Sequence, residues 1–86
     1  MKNLIQNYID LLKIDKLSKF LLDNKINLNE TELNYIFNLV KNNWEDIINN
    51  SDKYLDNLDS NINLESSKKI KDLFNYYKNR YKSYLF

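Results

Sequence analysis

The sequence predicts an all-α domain, a compact bundle of four to five short helices closed by a long C-terminal helix. Three observations carry that expectation. Apolar residues recur at steps of three and four through most of the chain, the period of one helix face. Glycine and proline are both absent from its 86 residues, where average usage would give roughly six and four, so tight glycine turns are excluded. Asparagine, aspartate and serine stand at the heads of the periodic segments, where their side chains accept from the unsatisfied N–H groups of a first turn.

Residues 2–13 set Leu4, Ile5, Tyr8, Ile9 and Leu12 on one side of a first helix. Asp15 is expected to cap a shorter second helix, with Leu17, Phe20 and Leu21 inward, Lys16, Ser18 and Lys19 outward, and an end near Asn24. Ile26-Asn27-Leu28 reads as a linker, with Leu28 placed to staple onto Leu33. The central helix starts at the cap Asn29, where Glu32 completes a capping box, and its anchors Leu33, Ile36, Phe37, Val40 and Trp44 fall on a single face. The apolar spacing continues through Ile47 and Ile48, with a bend expected at Asn42-Asn43 and a short helix after it.

Ser51 is expected to cap the next helix, which turns Tyr54, Leu55 and Leu58 inward and Asp52, Asp56 and Asp59 outward. The last helix runs from about Leu64 to Tyr84 on a stripe of Ile70, Leu73, Phe74, Tyr77 and Tyr81. Without glycine, helix ends are expected to place asparagine in the left-handed conformation, and Asn24, Asn42, Asn43, Asn49 and Asn50 stand where helices would stop. One echo runs through the chain. Ile26-Asn27-Leu28 with Ile36-Phe37-Asn38 resembles Ile62-Asn63-Leu64 with Leu73-Phe74-Asn75, one residue out of step, which is weak evidence for a duplication.

Composition bounds the class. Residues 1–86 form one domain, near the size at which about 60 to 65% of the unfolded surface is buried, and 43% hydrophobic against 29% charged residues is the balance of a folded chain. Cysteine is absent, which rules out disulfides, thiolate nucleophiles and cysteine zinc sites and points to the cytoplasm. Neither a secretory signal nor a membrane-spanning segment is expected, because Leu4-Ile5 is followed at once by Gln6-Asn7 and no apolar run approaches about twenty residues.

Histidine is also absent, so with glycine and cysteine missing there is no histidine base, catalytic triad or glycine-rich phosphate loop. The expectation is a protein that is not an enzyme and uses neither cofactor nor metal. Asp52, Asp56 and Asp59 share a helix face that could hold a hydrated Mg²⁺, but three carboxylates at helical spacing more simply make a solvated face.

Charge is uneven although the net is only +1. Between residues 43 and 67, Glu45, Asp46, Asp52, Asp56, Asp59 and Glu65 face only Lys53. Beyond, Lys68, Lys69, Lys71, Lys78, Arg80 and Lys82 face only Asp72. Neighbouring helices would neutralise one another in the simplest case. Alternatively Lys68, Lys71, Lys78 and Lys82, with Arg80 beside them, form a basic ridge that tracks phosphates, interleaved with Tyr76, Tyr77, Tyr81 and Tyr84 for stacking on unpaired bases. A protein partner is the other route. Tyr76, Tyr84, Leu85 and Phe86 would make an apolar patch at the chain end, suited to a partner groove or a weak homodimer, unless Leu85 and Phe86 fold back on the first helix. The leading expectation is a non-enzymatic protein-protein interaction module, with RNA or single-stranded DNA binding as the alternative.

From Ile26 onward the pattern resembles the YqfT-like proteins, a small family of unknown function from low-GC Gram-positive bacteria. Ile26-Asn27-Leu28 with Glu32, the stretch from Ile36 that closes on Lys41-Asn42-Asn43-Trp44, Ile47-Ile48, and Ser67-Lys68-Lys69-Ile70 with Leu73-Phe74 carry the likeness. They cover about two thirds of the chain. The family often has proline at helix starts, and this sequence has none. The resemblance implies a small helical bacterial cytoplasmic protein and transfers no catalytic residue.

Overall fold

Five α-helices follow one another in the computed structural model: α1 (Lys2–Leu11), α2 (Ile14–Asp23), α3 (Glu30–Asn49), α4 (Ser51–Asn61) and α5 (Leu64–Leu85). The structure describes residues 2–85, with side chains from Leu4 to Arg80, and these include no strand. The expected Tyr81 stripe position, Lys82, Tyr84, Leu85 and Phe86 therefore lie outside the described side chains.

The central helix starts as its sequence dictates. Asn29 Oδ1 accepts from Glu32 N at 2.8 Å and Glu32 Oε1 accepts from Asn29 N at 2.9 Å, a complete capping box. The expected bend is also present, because Asn43 leaves helical geometry at φ −132°, ψ 15° inside α3. Along this helix α1, α2 and α4 are laid down, and α4 passes the contact on to α5. The core consists of Leu17, Leu21, Ile26, Ile36, Leu58 and Ile62, with Leu28, Leu33, Phe37, Val40, Ile70 and Leu73 half-buried against it. Of the five anchors expected on α3, Ile36 and Trp44 are buried and the other three are half-buried. Trp44 stands apart from the main core: its indole N–H donates to Gln6 Oε1 at 2.8 Å and fixes α1 on α3.

Several ends differ from the sequence expectation. α1 stops at Leu11 rather than residue 13, because Lys13 is extended and serves as the N-cap residue of α2. Asp15, expected as that cap, lies in the first turn, where the helix dipole favours its charge. The Lys41 ammonium takes over the end of α1, donating to the carbonyls of Ile9 at 2.8 Å, Asp10 at 3.0 Å and Leu12 at 3.3 Å. A cation on these orphan carbonyls does what a glycine-based C-cap does elsewhere.

At the end of α2 the left-handed residue is Lys25 (φ 61°), the one non-glycine residue with positive φ among those described, and not Asn24. Lys25 N donates to Leu22 O and Ile26 N to Leu21 O, both at 2.9 Å, a Schellman motif whose apolar clasp is Ile26 on Leu21. α4 is capped by no side chain: Asn50 is its N-cap residue, and Ser51 is its buried first residue, whose hydroxyl meets α5 instead. Tyr77 is exposed rather than part of the core stripe. The reason is length: at 1.5 Å per residue the 22-residue α5 is about 33 Å long and the 11-residue α4 that covers it about 17 Å.

A polar junction locks the two loops under the core. Asn63 Oδ1 caps α5 through Ser66 N, its amide reaches Asn27 O at 3.1 Å, and its backbone N–H donates to Glu32 Oε2 at 2.6 Å. Ser66 Oγ adds a second bond to Asn27 O at 2.9 Å. Among the described residues no buried side-chain polar atom lacks a partner. The Cα radius of gyration is 12.5 Å, against about 12 Å expected for a compact domain of this length.

Candidate protein interface

The largest departure from an inward-facing apolar stripe is on α1 and α2. Of the α1 stripe, Ile9 and Leu12 are buried and Ile5 is half-buried, but Leu4 (69% exposed) and Tyr8 (59%) face outward, beside Leu11 (80%). These three follow at i, i+4 and i+7, so they form a second stripe next to the first. On α2, Phe20, expected inward, is 41% exposed. The stripe is wider than the surface α3 offers, and α2, joined to α1 through Leu12 and Lys13 alone, covers only one flank.

Between the two helices lies an open groove of about 440 Å³. Its floor is Ile9, Leu12, Leu17 and Val40; Tyr8 and Phe20 wall it, and Lys16, Lys19 and Asp23 stand over the α2 side. Lys19 is paired with Asp23 at 3.3 Å, whereas Lys16 is exposed and has no side-chain partner among the described residues. An apolar floor with a few polar groups at one rim is the make-up of a binding groove. Sequence reasoning had all of Leu4, Tyr8 and Phe20 on inward faces. The width of the α1 stripe was the one signal that not all of it would be covered.

Of the expected contact residues at the other end, Tyr76 is 55% exposed and packs edge-on against Tyr77, ring centroids 5.2 Å apart, while Arg80 Nη1 donates to its hydroxyl at 3.2 Å. Tyr76 also borders a shallower recess of about 390 Å³ against Asn24, Lys25 and Leu73. Tyr84, Leu85 and Phe86 lie outside the described side chains, so the expected four-residue patch is seen only in Tyr76.

The basic ridge does not stand clear as one face. Lys71 Nζ binds Asp59 Oδ1 at 3.1 Å, and Lys78 Nζ donates to Ser51 Oγ at 3.3 Å, so both turn toward α4. Lys69 crosses to Lys25 O at 2.8 Å and pairs with Glu65 at 3.2 Å. Lys68 and Arg80 are exposed, and Lys82 lies outside the described side chains. The acidic middle and basic tail thus meet directly at Asp59 and Lys71.

The three aspartates of α4 are not equivalent either. All three are exposed, but Asp59 accepts from the Ser67 hydroxyl and from Lys71, which together hold its carboxyl below the ordinary range. No group of three or more residues that could hold a metal ion occurs among the described residues. On the far side of α4, hydrogen bonds from Tyr54 and then Asn50 hold Asp46 below its ordinary value, and the same bond pushes the Tyr54 phenol up. Glu32 is lowered chiefly by the Asn29 backbone N–H and then by Asn63. Each of these shifts belongs to a helix junction, and none lies in the α1–α2 groove. Among the described residues no helix is long and apolar enough to cross a membrane. Comparison with protein-family models, curated proteins and solved structures gave no match.

Proposed function

We propose that the protein is a non-enzymatic protein-binding module of the cytoplasm and that it docks its partner on the α1–α2 face. The observation that carries the reading is an apolar groove walled by the exposed Tyr8 and Phe20, with the exposed Leu4 and Leu11 continuing the α1 stripe to which Tyr8 belongs. Water pays a penalty over such a surface that a partner's apolar side chains relieve. Aromatic residues at its centre are the type that anchors interfaces. The perturbed carboxylates support the same reading, because each is taken up in holding helices together: Glu32 and Asp59 bond across loops and helices, and Asp46, which borders an open recess of about 600 Å³ beside Trp44, is tied to Tyr54 and Asn50. Nucleic-acid binding through α5 has less support, since Lys71 and Lys78 are turned onto α4.

The test is affinity capture from the native host with the wild-type chain, the double variant Tyr8→Ser/Leu11→Ser and the control Tyr76→Ser, all shown by circular dichroism to be folded. Both α1 positions are exposed, so stability is expected to change by less than about 1 kcal/mol. Proteins retained by the wild type and by Tyr76→Ser should be lost from the double variant. Equal recovery on all three baits overturns the choice of face. A labelled single-stranded oligonucleotide at about 50 mM salt, where phosphate contacts are strong, should show no binding.

A further inference from the structure

The charges around the α1–α2 groove indicate the kind of segment that fills it, and this inference rests on the reading that the face docks a protein. We propose that the occupant is an amphipathic helix of another protein, whose apolar stripe enters between Tyr8 and Phe20 and whose flank sets a carboxylate on Lys16. Along α2 the lining runs from Lys16 to Asp23, about 10 Å or two turns. That length matches apolar anchors at i, i+4 and i+7 of a third helix laid alongside.

The electrostatics select the flank. α1 contributes only Tyr8, Ile9 and Leu12 to the lining and therefore no charge. Its C-terminal carbonyls, which would repel an anion, are already bound by the Lys41 ammonium. On α2, Lys19 and Asp23 satisfy one another, and Lys16 is left as the uncompensated charge over the groove. A carboxylate is the group that such an ammonium recognises.

A second copy of the chain fits less well. Set face to face about a two-fold axis, the same groove on a second copy offers Lys16 no carboxylate on its lining except Asp23, which Lys19 already pairs. The acidic α4 of a neighbouring copy has the charge but no large exposed apolar side chain to insert.

The experiment uses two synthetic amphipathic peptides with the same leucine stripe, one flanked by glutamate and the other by lysine, titrated into the ¹⁵N-labelled full chain at low salt. The glutamate peptide should shift the amides of Tyr8, Leu11 and Phe20 and bind roughly two- to fivefold more tightly than the lysine peptide, and Lys16→Glu should reverse that order. Equal affinity of the two peptides at the groove overturns the carboxylate preference and leaves the docking reading standing. No shift at the groove with either peptide overturns both. Amide shifts of Tyr8 and Phe20 on raising the protein concentration alone, with a doubled mass in sedimentation, would overturn the foreign helix in favour of a second copy.

Discussion

The tripeptide Ile-Asn-Leu occurs at 26–28 and again at 62–64, and the two copies meet under the core without doing the same work. Both isoleucines are buried, Ile26 to 1% and Ile62 to 5% exposure. Beyond that they diverge. In the first loop the cap is Asn29, three residues after the isoleucine, and Leu28 is half-buried against the core. In the second the cap is Asn63 itself, so α5 starts at once and Leu64 is thrown outward at 68% exposure. Residues 24–29 separate α2 from α3, whereas only 62 and 63 separate α4 from α5. A shared tripeptide therefore fixes the burial of its first residue, while distance from the next helix start decides what the other two do.

Substitution breaks this comparison most visibly at the isoleucines. Ile26→Ala and Ile62→Ala should each cost about 2 to 5 kcal/mol, a large share of the stability of a domain this size, with melting temperatures lowered by at least about 8 °C. Leu64→Ala should move the melt by no more than about 0.5 kcal/mol. A Leu64 variant as damaged as the Ile62 variant would mean that the first turn of α5 is covered after all.

The difference between the loops also marks what the sequence could convey. Helix periodicity located all five helices, because apolar spacing is local information, and the Asn29–Glu32 box and the Asn43 bend were legible for the same reason. The deepest core was not. Ile26 and Ile62 sit in short linkers with no period of their own, and their burial is set by two loops converging from 36 residues apart. Lys41 as the cap of α1 was hidden because it reaches those carbonyls from about 30 residues along the chain, and Lys25 in the left-handed region because asparagine rather than lysine is the usual non-glycine residue there. The candidate interface was missed because periodicity marks which residues are apolar on one face but not how much of that face the neighbours reach. Leu4, Tyr8 and Phe20 belong to that uncovered remainder. Of the expected chain-end patch, Tyr76 is exposed.

The polar half of the junction is sharpened by pH. Glu32 accepts from Asn29 N with one oxygen and from Asn63 N with the other, and both bonds favour the ionised form. Its folded-state pKa is depressed, so the unfolded chain binds the proton more readily. The stabilisation is present above the ordinary value of 4.5 and is lost as pH falls through the lower folded value. Asp46 and Asp59 act with the same sign. The urea midpoint should therefore fall steadily below about pH 5. Glu32→Gln should lower the midpoint at pH 7, because an amide has one acceptor oxygen for the N–H groups of both Asn29 and Asn63, and should make the acid limb shallower, because an amide does not titrate. A variant whose midpoint falls with acid as steeply as the wild type's would show that the carboxylate does not link the loops.

The smallest expected effect separates the loops by backbone alone. Only the first requires a left-handed residue, and Lys25 fills that place at φ 61°, a region that costs a residue with a Cβ about 1 kcal/mol or more. Glycine enters it freely but brings extra freedom to the unfolded chain, which offsets part of the gain. Lys25→Gly should therefore stabilise the domain by about 0.5 to 1 kcal/mol, a rise of roughly 2 to 8 °C in melting temperature. The bond from Lys69 should survive, since it is made to the Lys25 carbonyl rather than its side chain. Lys25→Ala, which keeps the Cβ, should give no rise. The same glycine at position 63 should destabilise, because there the side chain caps α5 and spans to Asn27 and Glu32. If glycine at 25 were neutral or harmful, the strain assigned to that turn would be absent, and the two loops would differ in side-chain bonding alone.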